Sequence, residues 1–513
     1  MLRTAALALA AVAAGVGCAA LAMLCLDHPR TGLLVAMCVI VPLPWAMRMV
    51  QRRWDVFEPI HLMAFAIGIL FIWRPFWELH TNIQPYPGFD TRDGFNGAMM
   101  IGLVGTVFLY LGYFSKAGAA IVHRFPPLAD HWDAERSVRF VRRMLVLAAF
   151  LTAMYAAQAG IHYVISTYTG RSGQATLSSQ SSGYFYQGPY LTIPAAFILL
   201  IAYTRRKTTA TLVLLIAVVV VAVGITVPAG DRTFMLELAM PIAAMWYLRR
   251  NRRPRVISLA VLFIVFLIFI NVSLVFRSTA NRAGNSLPAA VAHAFTHPQD
   301  ELAKFISGAD PSEFSALEVE YVGYKNHQLG FKPGGTVSSL ITGWIPHEFF
   351  AGGKKPLTPL QYVTWTLFPT TQGGGSYGPS MFGSMYIDYG WFTLALFAAL
   401  VGIALRSLWE YFLMAPRTSG MQLAFAASMP LAIIMLRNDV DDIVYRSVFF
   451  VVPIILCIVS CSRPSRKDRK LMARQARAAA QRGPAVSVAG PTQTGQPAGG
   501  WAPADRAPGP AHR

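Results

Sequence analysis

The chain has 513 residues, of which 54% are hydrophobic and only 13% charged, with 44 Lys and Arg against 25 Asp and Glu for a formal net charge of +19. Soluble domains carry about a quarter charged residues and disordered chains have low hydrophobicity, so both classes are excluded. Five cysteines in this length also exclude a disulfide framework. The +19 invites a nucleic-acid reading, but in so apolar a chain the first cause to test is retention of Lys and Arg on the cytoplasmic side of a membrane.

One bilayer crossing needs about 20 mostly apolar helical residues. Twelve such stretches are predicted, at 5–26, 31–49, 59–76, 95–115, 143–165, 188–204, 209–228, 232–248, 256–276, 385–405, 419–436 and 443–461. The first follows Arg3 and is about twice the length of a signal-peptide apolar region. Cys18 lacks the Leu three residues earlier that a lipobox needs, so this stretch reads as an uncleaved anchor. Arg74 and Pro75 interrupt the third stretch, and Pro430 lies inside the eleventh.

Placing the N-terminus in the cytoplasm puts 30 Lys and Arg and 8 acidic residues inside, leaving 14 and 17 outside, so the positive-inside rule is obeyed. The expected fold is an all-α polytopic membrane protein with about 12 transmembrane helices and both termini cytoplasmic. One large exterior loop, 277–384, joins helices 9 and 10. Structureless connections of that length are uncommon, which predicts a partly folded element on the outer surface. The polytopic domain spans 1–462. Residues 463–513, rich in Arg, Ala, Pro, Gly and Gln, read as a disordered basic cytoplasmic tail that favours anionic inner-leaflet lipid. No internal or inverted repeat of the transporter kind is visible.

Cys18, Cys25, Cys38, Cys457 and Cys461 all fall within predicted spans, where they act as small apolar residues. There is no phosphate-binding glycine loop, dinucleotide fingerprint, HExxH or CxxC. His293 and His297 are spaced for one helix face, but Pro298 ends that helix and no third ligand follows, so no metal and no cofactor are expected.

Cations at the outer ends of spans are more informative. Pro228 and Gly230 break the chain just before Arg232 opens the eighth span from the exterior side. That helix presents its free N–H groups and positive dipole end outward, with a full charge added, which suits an anionic headgroup. Arg277 ends the ninth span, Arg282 follows, and Arg437 and Arg446 flank the exterior turn RNDVDDIVYR, where each is an anion ligand, an interfacial anchor or a salt-bridge partner. Glu237, within the eighth span, must face the bundle and pair, with Arg232 or another exterior-end arginine, as a structural ion pair or a general base.

Late in the long loop, Gly373, Gly374, Gly375, Gly378 and Gly383 are too dense for a regular element and let backbone approach a ligand. Tyr377, Tyr386 and Tyr389 offer flat faces and hydroxyls suited to sugars, although an interfacial aromatic belt has the same composition. His347 and Glu348 supply proton-transfer groups, and Lys354 and Lys355 supply cations.

A dozen spans, the Gly230-Asp231-Arg232 turn, the large exterior loop and the order Ile345, Pro346, Lys355, Pro356, Pro379, Ser380, Tyr386, Gly390 resemble the Wzy-type O-antigen polymerases and the related O-antigen ligases. The match is concentrated in 225–280 and 340–405, and it departs where members often carry Arg after the Ile-Pro pair and Glu before the tyrosine: His347 and Ser384 stand there.

The resemblance implies a metal-independent glycosyltransferase in the bacterial cytoplasmic (inner) membrane, with its active face exterior. It joins repeat units carried on undecaprenyl diphosphate into a surface polysaccharide. Its implied partners are the polyprenyl-diphosphate-linked glycan, membrane lipids, a flippase and a chain-length regulator, with no nucleic acid. Such a reaction needs cations for a diphosphate leaving group and a base for the acceptor hydroxyl. Arg232, Arg277, Arg282, Lys354 and Lys355 are the expected diphosphate ligands, with Arg232 also counted as catalytic. His347 is the expected base with Glu348 next, and Tyr377 and Tyr386 the expected glycan contacts.

Two other classes stay open. A GT-C-like lipid-linked glycosyltransferase usually carries an acidic pair in its first long exterior loop, but here that loop is residues 27–30 with the single Asp27. A polysaccharide transporter needs a continuous polar path through the spans.

Overall fold

The computed structural model describes residues 29–81, 93–128, 130–161, 187–229, 232–250, 312–342, 356–368, 380–437 and 446–462, with isolated positions between them. The predicted first and ninth spans and the tail lie outside the described residues apart from isolated positions. The chain divides into Met1–Arg463 and Pro464–Arg513, and the described residues all belong to the first unit.

Among the described residues helices are the regular elements and there is no strand. They run α1 (Pro29–Ile40), α2 (Leu43–Val50), α3 (Pro59–Thr81), α4 (Phe95–Phe114), α5 (Ala117–Val122), α6 (Ala134–Ala159), α7 (Thr192–Arg205), α8 (Thr209–Ala229) and α9 (Arg232–Arg249). The second half supplies α10 (Ser312–Lys325), α11 (Gly335–Thr342), α12 (Pro359–Leu367), α13 (Ser380–Tyr389), α14 (Trp391–Met414), α15 (Ser419–Arg437) and α16 (Val451–Cys461). Among the described residues, seven helical stretches are long and apolar enough to cross a membrane: α1 with α2, then α3, α4, α6, α8, α14 and α15. The protein is a multi-pass membrane protein: α8 leaves Val213, Ile216, Val220 and Val221 exposed, which suits hydrocarbon and not water.

Local chemistry explains where the helices begin and how they continue. The Asp133 side chain accepts the Arg136 N–H at 3.0 Å, which starts α6 before the apolar stretch that predicts it. Arg74 does not interrupt α3. A π-helical turn at Ile69–Trp73 leads into it, and the Arg74 Nε atom donates to Glu78 Oε1 one turn on, at 2.6 Å, with both side chains buried. α15 passes through Pro430 without ending. The predicted tenth span is two helices, because Gly390 breaks the chain between α13 and α14 at φ +66°.

The tightest helix pair is α4 with α14. A Cβ at Gly112 would overlap the Ala399 carbonyl, and one at Gly402 would overlap that of Leu109, so two glycines let the backbones touch. Around this pair, α1, α3, α10 and α13 build one apolar core that includes Phe71, Tyr110, Phe314 and Phe382. A second core gathers α6, α7, α8, α9, α15 and α16 around Phe197, Met245 and Phe425.

Polar groups collect at the two ends of the helices. At one end Glu58 accepts from Arg48 Nε at 3.0 Å and from the Tyr113 hydroxyl at 2.7 Å, with Arg406 at 3.6 Å. Arg205 there donates to Ser419 at 2.7 Å and Asp130 at 3.0 Å. The opposite end carries Arg30, Arg74, Glu78, Arg437 and Arg446 together with the loop helix α10.

Candidate functional site

The α9 N-terminus opens at Arg232, and α8 runs through Pro228 to Ala229, so the proline does not end that helix. Antiparallel packing against α15 brings the end of one helix beside the start of the other: the Gln422 amide donates to the Leu248 carbonyl at 3.4 Å at one end. Arg437 therefore ends α15 at the end where α9 begins. Arg446 follows the turn and lies across the first turns of α9, with its guanidinium 4.7 Å from the Phe234 ring centre and Nη1 3.4 Å from Glu237 Oε1. Phe234 is itself stacked on Tyr190 at 3.6 Å, which fixes the ring under the cation.

Glu237 is buried and held by Arg446, one of the exterior-end arginines expected to pair with it. Arg437 donates from Nε to Glu313 Oε1 at 2.8 Å, and a third of its side chain remains exposed. Gly378, from the glycine-rich segment, comes to the Arg437 carbonyl, where a Cβ would lie 4.0 Å away. Two arginines, the opening of α9 and one edge of the glycine-rich segment thus share one end of the bundle, where an anionic group meets positive charge from several elements.

Sequence reasoning missed α10. Its segment SEFSALEVEYVGYK buries Glu313, Ser315, Glu318 and Glu320 against α3, α4 and α13. Ser315 donates to Glu78 Oε1, the oxygen that also takes the Arg74 Nε. The alternation of acids with apolar residues in this segment, opposite Arg74 and Glu78 in the third span, was the available signal.

Tyr386 is 6% exposed, so its faces are covered by other rings. Tyr324, Phe331 and Trp391 surround it at centroid distances of 5.7, 5.9 and 5.1 Å, and Phe331 and Trp391 carry the exposed aromatic surface. Asp388, one turn beyond Ser384, accepts the Thr336 N–H at 3.0 Å and so holds α11 to α13. Arg277, Arg282, His347, Glu348, Lys354, Lys355 and Tyr377 lie outside the described residues, as does the Arg232 side chain. No group of three or more His, Cys, Asp or Glu positioned to hold a metal ion occurs among the described residues.

Apolar spanning helices, with charged and aromatic side chains gathered at one end of the bundle, define a polytopic membrane protein whose candidate site lies at that end. The chain belongs to the O-antigen polysaccharide polymerase Wzy family, whose model matches residues 31–465. It is therefore a polymerising glycosyltransferase of polysaccharide biosynthesis. No curated protein and no solved structure matches the chain.

Proposed function

We propose that the protein joins oligosaccharide repeat units carried on undecaprenyl diphosphate into a surface polysaccharide, at the exterior face of the cytoplasmic membrane. The match of the family model over 31–465 carries this reading. In it, about 12 spans cross the membrane, both termini are cytoplasmic, and the end bearing Arg437, Arg446 and the start of α9 faces outward. The strongly basic segments of the other end support that orientation.

The leaving group of the transfer is a lipid diphosphate. Arg232 and the α9 N-terminus, Arg446 over Phe234 and Arg437 beside Gly378 stabilise its developing charge, joined by Arg277, Arg282 and Lys354 or Lys355. Glu237 and Glu313 orient Arg446 and Arg437. His347, with Glu348 next, takes the proton of the acceptor hydroxyl as the new glycosidic bond forms and the bond to the diphosphate breaks. The residues require no metal for these roles. The glycan runs under the long loop, over Tyr377 and the aromatic surface that Tyr386 supports.

The test is a gel of lipid-linked glycans from a strain lacking the native copy. Accumulated single repeat units, restored to a polymer ladder by the wild-type chain and not by Arg232→Ala, are expected. Loss of the single unit itself in that strain would contradict polymerisation and point to an earlier transferase. A full ladder from Arg232→Ala would remove Arg232 from the site.

A further inference from the structure

We infer that the end of the bundle opposite Arg437 and Arg446 binds the phosphate of an anionic phospholipid, in a site built by Arg205, Arg249 and the N-terminus of α15. The inference goes beyond the polymerase reading and does not rest on it.

Three helix ends meet the first turn of α15. Arg205, the last residue of α7, donates from Nε to Ser419 Oγ at 2.7 Å. The Leu248 carbonyl, in the last turn of α9, takes the Gln422 amide at 3.4 Å, which sets Arg249 beside the same turn. Ser462, which follows α16, packs on Gly420, where a Cβ would come within 3.4 Å of its Oγ. The start of a 19-residue helix, whose first N–H groups have no partner within the helix, therefore lies beside two arginines.

Donors at this end exceed the acceptors that the protein supplies. Arg249 Nη1 and Ser462 Oγ are buried without a hydrogen-bonding partner. A cation at a helix C-terminus ordinarily directs its N–H groups at the last carbonyls, but Nη1 reaches none of them. Asp130 accepts from Arg205 Nη2 at 3.0 Å and the Asp133 N–H donates to the Cys461 carbonyl at 3.1 Å, so the segment between them runs from the end of α7 to the end of α16. It carries Trp132, 9% exposed, whose indole N–H is buried without an acceptor. Buried donors are nearly always paired, and a phosphate offers several charged acceptor oxygens at once.

The carboxylates nearby already hold other arginines: Asp130 holds Arg205, Asp133 holds Arg136 and Glu135 holds Arg206. Among the described residues none is left for Arg249. Burial first, and then the charge of Arg205, lower the Arg249 guanidinium below its ordinary value, as expected of a cation short of an anion.

The depth of the site selects a lipid. Trp246, one turn before Arg249, is 54% exposed, and Arg250 lies over its ring at 3.7 Å, a pairing suited to the headgroup level of a bilayer. Arg205, with a third of its side chain exposed, opens the site to the surface. Just after it α8 begins, and Val213 and Ile216 on that helix expose apolar surface for the acyl chains.

The test is thermal unfolding of the delipidated full-length protein in detergent, titrated with phosphatidylglycerol, phosphatidylcholine or inorganic phosphate. The wild-type melting temperature is expected to rise and saturate with phosphatidylglycerol and to stay flat with the other two. Arg249→Gln is expected to weaken the apparent affinity for phosphatidylglycerol about tenfold or more, the loss of one charge-assisted hydrogen bond. Its melting temperature without added lipid should equal or exceed that of the wild type, because the cation removed has no counter-ion. Arg142→Gln, at an exposed position of α6 near the same end, is expected to keep the full rise. An equal rise with phosphatidylcholine, an unchanged affinity in Arg249→Gln or an equal loss in Arg142→Gln overturns the inference. A rise with inorganic phosphate alone overturns the assignment to a lipid. Native mass spectrometry of the wild-type chain is independent of any variant's folding. Phosphatidylglycerol is expected to stay bound through collisional activation that strips phosphatidylcholine, and equal retention of the two overturns the inference.

Discussion

Glu237→Gln removes the carboxylate from the buried pair with Arg446 while keeping its shape. Breaking a buried ion pair from one side costs about 3–5 kcal/mol, because the other charge stays behind. Two features lower that figure here: the contact is long for an ion pair, at 3.4 Å, and the guanidinium keeps the Phe234 ring at 4.7 Å, worth about 1–2 kcal/mol. The expected loss is thus about 2–3 kcal/mol, a fall of several degrees in the detergent melting temperature. Arg446→Gln should cost about the same. The double variant should recover about 1–2 kcal/mol relative to the sum of the singles, since neither charge is then stranded. Fluorescence-detected thermal melts of the four proteins complete the cycle. Single costs that add to within about 0.5 kcal/mol would refute the claim that Glu237 holds Arg446.

Glu58→Gln leaves Arg48 and Arg406 without their shared carboxylate, and a loss of about 3–5 kcal/mol should appear as poor folded yield on size exclusion. Gly402→Leu drives a side chain into the α4 backbone at Leu109. That overpacking should cost about 1–3 kcal/mol or more and lower the melting temperature. Gly390→Ala forces an L side chain to φ +66° against the Phe331 ring at 3.3 Å, for a penalty of about 1–2 kcal/mol in the same melt.

The spanning helices were legible because a bilayer demands long apolar stretches whatever else the sequence does, and α3, α4, α8 and α15 lie close to the stretches that predict them. Their interruptions were harder to read. Arg74 looks like a break until its partner one turn on absorbs the charge, and Gly390 looks like an ordinary span residue until its positive φ divides the helix. Arg446 and Glu237 lie 209 residues apart, and Arg437 and Glu313 lie 124 apart, so proximity along the chain does not identify these pairs. The glutamates of α10 were passed over because acids in an exterior loop are usually solvated, whereas here glycines at 94 and 97 let the helix seat close enough to bury them. Tyr386 packs among Tyr324, Phe331 and Trp391, a burial that its composition-level likeness to an interfacial aromatic does not reveal, and Phe331 and Trp391 carry the exposed faces.

The central claim is chemical: repeat units are joined with release of a lipid diphosphate. Purified protein in proteoliposomes, given the undecaprenyl-diphosphate-linked repeat unit alone, tests it most directly. A ladder of lengthening glycans, with one free undecaprenyl diphosphate released per unit added, is the predicted result. Conversion of the substrate only when a different acceptor is supplied, or no conversion by a protein that melts cooperatively, would contradict it.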